Sequence, residues 1–138
     1  MKHNLFALAL LPVLFSSSIT FASDAVPMDI YSEDTISETI DHKKWHFYKM
    51  EVDNPAKLTI KLRKISDDAD LYVSRSKKPS QDNFQCAPLK SSSSIETCRI
   101  TSHTAAIWYI GIYGKKKSDY KLNVQTADLK QVSQNNVK

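Results

Sequence analysis

Apolar residues recur at every second position through most of the chain beyond residue 35. In KLTIKLRK, Leu58, Ile60 and Leu62 alternate with Lys57, Thr59, Lys61 and Arg63, the pattern of a strand with one buried and one wet face. In ADLYVS, Ala69, Leu71 and Val73 share a face opposite Asp70 and Tyr72; in IWYIGIYG, Trp108, Ile110 and Ile112 oppose Tyr109, Gly111 and Tyr113. Tyr120, Leu122 and Val124 repeat the period. WHFYKMEV turns Tyr48, Met50 and Val52 inward, and TISETI predicts a weaker strand around Ile36 and Ile40. Turn chemistry separates these runs at Asp53-Asn54-Pro55, Ser66-Asp67-Asp68, Lys78-Pro79-Ser80 and Gly114. Helical periodicity is nearly absent. The set predicts an all-β fold, an antiparallel β-sandwich of jelly-roll type in a single domain. With only two glycines in the chain, tight primed turns are scarce and most connections should be longer loops.

The ends add an address. Lys2, the apolar run Leu5–Phe15 and the small residues around Ala22 fit a cleaved signal peptide over residues 1–22, because a membrane span needs roughly 20 apolar residues. Residues 23–34 then form an N-terminal extension, 35–125 the sandwich and 126–138 a polar, flexible tail. Export makes a disulfide the simplest use of the only cysteines, Cys86 and Cys98, placed to restrain the irregular segment from Lys77 to Ser94. The formal net charge is +4, yet the lysines are scattered, and Lys115-Lys116-Lys117 reads as a solvated hairpin tip. Without a basic stripe or interleaved aromatics, nucleic acid is not expected as a partner.

Three sets of residues bear on chemistry. Asp67, Asp68 and Asp70 crowd the entry to the ADLYVS strand. Asp68 and Asp70 project to one face and are candidate calcium ligands, but calcium takes six to eight oxygens; the competing reading is a turn in which the acids accept backbone hydrogen bonds. No other cofactor is implied. Tyr72, Tyr109 and Tyr113 lie opposite their strands' core residues and are candidates for an aromatic ligand-binding strip; ordinary cross-strand packing beneath a loop is the alternative. His42, His46 and His103 belong to no H-E-x-x-H, and no G-x-S-x-G occurs, so no catalytic constellation is present and an enzyme is not expected.

The order WHFYKMEV, KLTIKL, DDADLYVSR, the cysteine pair FQCAP and IETC, AAIWYIGIYG and SDYKLNV resembles the bacterial pre-peptidase C-terminal domain, from about Thr35 to Gln125. DADLYV and WYIGIYG are the most specific blocks. The resemblance implies a small, non-catalytic β-sandwich of secreted bacterial proteins, associated with export or with binding to polymers; related collagenase modules bind collagen and calcium. The function expected here is a secreted accessory module, exported through the periplasm, that recognises an extracellular polymer such as collagen or a glycan. The alternative is an export or folding helper for a separately encoded secreted hydrolase.

Overall fold

The computed structural model describes residues 25–64, 66–91 and 94–130. The segment expected to be a signal peptide, residues 1–22, and the end of the segment expected to be a polar tail lie outside the described residues. Eight strands follow in order: β1 (Met28–Asp29), β2 (Thr35–Ile40), β3 (Trp45–Val52), β4 (Ala56–Lys64), β5 (Ala69–Arg75), β6 (Glu96–Ser102), β7 (Ala106–Gly114) and β8 (Ser118–Asp128). They form two four-stranded sheets, ordered β1-β3-β7-β5 (sheet A) and β2-β8-β4-β6 (sheet B).

Odd strands build one sheet and even strands the other, so each connection between successive strands crosses the sandwich. No two consecutive strands pair. This corrects the hairpin reading of Lys115-Lys116-Lys117: β7 and β8 belong to different sheets, and the lysines sit on a crossing turn. The sandwich is also not wholly antiparallel, because β1 pairs with β3 in parallel through Met28↔Tyr48 and Asp29↔Lys49. Ile30, placed by sequence in an extension, is buried in the core, and β8 runs past Gln125 to Asp128.

The inner faces follow the period-2 pattern. Tyr48, Met50, Leu58, Ile60, Leu62, Leu71, Val73, Trp108, Ile110, Ile112, Tyr120, Leu122 and Val124 are all buried in one cluster. Burial of each such side chain is worth about 1.5–3 kcal/mol. Trp108 is inward as expected, its indole N–H donating to Ser102 Oγ at 3.2 Å. Both glycines lie on β7, so left-handed backbone at turns falls to Glu33, Lys43, Ser76 and Leu89.

The β5–β6 side of the sandwich is closed. Cys86 is bonded to Cys98 of β6, and its backbone bridges Val73 of β5: Val73 N–H donates to Cys86 O at 2.8 Å, and Gln85 N–H to Val73 O at 2.8 Å. Leu71 N–H donates to Glu96 Oε2 at 2.7 Å. The edge of β5 is thereby covered, which removes a template for pairing with other chains. Among the described residues no helix is long and apolar enough to cross a membrane.

Candidate functional site

The outer face of sheet A is a grid set by register. Trp45, Tyr113 and Asp70 form one row, Phe47, Gly111 and Tyr72 the next, and Lys49, Tyr109 and Ser74 the third. The centre of the grid is Gly111. A Cβ there would stand 2.9 Å from Trp45 Cζ3 and 2.9 Å from Pro79 Cγ, closer than carbon atoms pack, so the missing side chain lets Trp45 and the loop after β5 lie flat on the sheet. The Trp45 ring stacks on Phe47 at 5.3 Å and tilts against Tyr72 at 5.2 Å and Tyr113 at 5.0 Å. Phe84 meets Tyr72 edge-on at 5.5 Å, and Lys78 Nζ lies 5.2 Å from the centre of the Phe47 ring, a cation–π geometry.

Of the tyrosines singled out by sequence, Tyr109 and Tyr113 are partly exposed on this shelf. Tyr72 shares the face but is only 3% exposed, under the loop that carries Pro79 and Phe84. Burial, with the neighbouring carboxylates of Asp70 and Glu96, pushes its phenol up to about 12. Packing under a loop thus describes Tyr72, while Tyr109 and Tyr113 keep accessible surface on the shelf. Sequence reasoning passed over Trp45 and Phe47, which the same alternation that turned Tyr48 inward places outward.

The acidic stretch meets lysines from three directions. Asp68 Oδ1 pairs with Lys64 Nζ at 2.8 Å, Asp70 Oδ2 with Lys115 Nζ at 3.6 Å and Asp67 Oδ1 with Lys116 Nζ at 3.4 Å. Turn bonding is present as well: Asp67 Oδ1 accepts from Asp68 N–H at 2.9 Å, and Asp68 O accepts from Lys116 N–H at 2.9 Å. Lys64 ends the inward set of β4, fully buried, and also reaches Glu96 Oε1 at 3.0 Å and the carbonyl of Lys90. Burial alone would lower the Lys64 ammonium's pKa, but Asp68 and Glu96 outweigh it and raise it. Asp70 is different. Burial, then the Glu96 charge, raise its carboxyl above the usual range against the pull of Lys115; its Oδ2 accepts no hydrogen bond among the described residues. The candidate calcium ligands therefore face ammonium groups, and among the described residues no group of three His, Cys, Asp or Glu is arranged to hold a metal.

Tyr120 hydroxyl lies 2.5 Å from Tyr48 hydroxyl and 2.8 Å from His46 Nδ1, a polar chain that links β3 of sheet A to β8 of sheet B. Burial raises the pKa of both phenols. A cavity of about 280 Å³ adjoins it, lined by Val26, Met28, Glu38, Trp45, Phe47 and Tyr48 among others. Trp45 and Phe47 thus belong both to the shelf and to the wall of this cavity.

A family model of the bacterial pre-peptidase C-terminal domain matches residues 45–114, just over half of the 138-residue chain. No curated protein matches the chain. Three solved structures share its fold at a TM-score of 0.59. The pre-peptidase C-terminal domain of a collagenase from Bacillus anthracis does so at 12% identity, over 72% of this chain and 95% of that one. The periplasmic inhibitor of g-type lysozyme PliG from Aeromonas hydrophila does so at 10%, over 73% and 96%. The solution structure of vEP C-ter 100 does so at 23%, over 71% and 98%. At these identities the structures establish the fold; the family match spans β3 to β7, including the shelf strands and both glycines. The chain belongs to the bacterial pre-peptidase C-terminal domain family, a family of non-catalytic accessory domains.

Proposed function

We propose that this chain is an exported, non-catalytic binding module that holds an extended extracellular polymer, protein or glycan, on the outer face of sheet A. The observation that carries the reading is the shelf of Trp45, Phe47, Tyr109 and Tyr113, left partly exposed around a glycine that keeps it flat. Aromatic rings give large apolar area at little entropic cost and suit the flat faces of proline and sugar rings. Exposed Ile107 extends the apolar surface, and the adjoining cavity, lined in part by exposed Met28, is large enough to take one side group of a bound chain. Two proteins with this fold are a domain of a collagenase and an inhibitor of a lysozyme, roles compatible with contact to another macromolecule.

The test is co-sedimentation of the mature protein with insoluble collagen fibrils and with chitin, for wild type, Phe47→Ala and Tyr109→Ala. Binding to at least one polymer, weakened about tenfold by each substitution (about 1.4 kcal/mol) with little change in melting temperature, supports the reading. Equal sedimentation of all three proteins, or of none, overturns it.

A further inference from the structure

The outer face of sheet B is built differently. β4 presents Lys57, Thr59, Lys61 and Arg63; β8 presents Lys121, Asn123 and Gln125; β6 presents Thr97, Arg99 and Thr101. The register sets Arg63 opposite Lys121, Lys61 between Asn123 and Thr97, and Thr59 between Gln125 and Arg99. Arg99 therefore sits diagonal to both Lys57 and Lys61. With strands about 4.8 Å apart and a rise of about 3.3 Å per residue, the five cations form one flat field about 20 Å long. All five are exposed, and none enters an ion pair among the described residues.

The acids stand at the rim. Asp119 accepts from the Thr39 hydroxyl at 2.5 Å, and Glu33 lies 3.5 Å from the Gln125 amide at the far end. Five cations against one carboxylate on the strands is a local excess equal to the formal net charge of the whole chain, +4. Like charges directly opposed across strands, as at Arg63 and Lys121, cost stability. The inner face of the same strands packs without requiring them.

We propose that this face binds an acidic polysaccharide, its sulfate or carboxylate groups resting against Lys57, Lys61, Arg63, Arg99 and Lys121. A flat, extended field of cations matches an extended polyanion, and the intervening Thr59, Thr97, Asn123 and Gln125 supply hydrogen-bond partners for sugar hydroxyls. No aromatic side chain on the face offers a platform for bases, which disfavours nucleic acid. No large exposed apolar side chain lies on β2, β4, β6 or β8, which disfavours insertion into a lipid surface. The face lies on the opposite side of the sandwich from the aromatic shelf, so the proposal stands or falls independently of it.

The experiment measures affinity of the mature protein for heparin and polygalacturonate, with dextran and duplex DNA as controls, at low and physiological salt. Expected is binding to at least one acidic polysaccharide, none to dextran, and weakening with salt. Lys57→Gln/Lys61→Gln/Arg63→Gln should lose at least about tenfold in affinity. Lys43→Gln/Lys44→Gln/Lys77→Gln, which removes the same charge from turn and loop positions outside sheet B, should bind as wild type does. Melting curves of each variant verify folding. Equal losses in the two triple variants, no binding to either acidic polysaccharide, or binding to DNA as tight as to heparin each overturn the proposal.

Discussion

Replacing Lys64 by methionine keeps the length of the side chain and deletes its charge at the most enclosed ionic group of the sandwich. Glu96 is fully buried, its Oε1 held by Lys64 Nζ at 3.0 Å and Lys90 N–H at 2.8 Å, its Oε2 by Leu71 N–H at 2.7 Å. Without the ammonium the carboxylate keeps two N–H donors but no counter-charge. Removing one partner of a buried pair costs about 3–5 kcal/mol, against about 5–15 kcal/mol for a whole domain. At about 4–8 °C per kcal/mol for a domain of this size, the midpoint should fall roughly 12–40 °C. Asp68 is partly exposed and can recover hydration, so Glu96 dominates the penalty. Glu96→Gln added to Lys64→Met should restore part of the loss, giving a coupling of at least about 1 kcal/mol in a double-mutant cycle. Denaturant and thermal unfolding of the four proteins decide it. A fall below about 3 °C for Lys64→Met, or additive single effects, would refute the view that this network closes the β5–β6 side. The raised pKa of Lys64 gives the same network a pH signature: its stabilisation is complete below the unfolded value of 10.5 and is lost as pH rises through the folded one.

Asp70 has the opposite meaning at neutral pH: its raised carboxyl pKa stabilises the fold only while protonated and loses that contribution as pH rises through the folded value. Asp70→Asn should therefore melt above wild type near pH 7 and converge with it near pH 4, as followed by circular dichroism. Millimolar calcium and chelator should give the same wild-type midpoint, because Asp67, Asp68 and Asp70 each face a lysine; a rise that Asp70→Asn abolishes would instead support the calcium reading. Cys98→Ser should cost about 3 kcal/mol and open the segment around Cys86 and Phe84 to protease before the rest of the sandwich, as mapped by limited proteolysis. Gly111→Ala should force Trp45 or Pro79 off the sheet, with a change in Trp45 fluorescence that the same substitution at exposed Ser37 does not produce.

The inner faces were legible because one buried side makes period 2 unambiguous: Leu58, Ile60 and Leu62 could face only one way. The same parity, continued two residues, puts Lys64 inside, but a lysine reads as exposed until its partners are known. Glu96 lies on another strand, and its proximity to Lys64 and Leu71 comes from sheet packing that no local pattern encodes. Strand pairing was the least legible feature. Each crossing turn looks locally like a hairpin turn, and the chain's choice to change sheets after every strand depends on long-range burial. Tyr72 shows the same limit at the site: its outward parity was readable, its cover by Pro79 and Phe84 was not. The cation field was present in KLTIKLRK, RIT and YKLNV, yet only the β4–β6 and β4–β8 registers turn three scattered runs into one surface.

The most direct test of the shelf as the polymer-binding face is heteronuclear NMR of the isotope-labelled mature protein, titrated with gelatin and, separately, with a chitin oligosaccharide. The two tryptophans serve as internal contrast, since Trp45 lines the shelf and Trp108 is buried between the sheets. The account predicts saturable shifts of the Trp45 indole and of the Phe47, Tyr109 and Tyr113 amides with at least one probe, while Trp108 and the outer strands of sheet B stay in place. Saturable shifts that leave Trp45, Phe47, Tyr109 and Tyr113 unmoved, or no shifts with either probe, would contradict it.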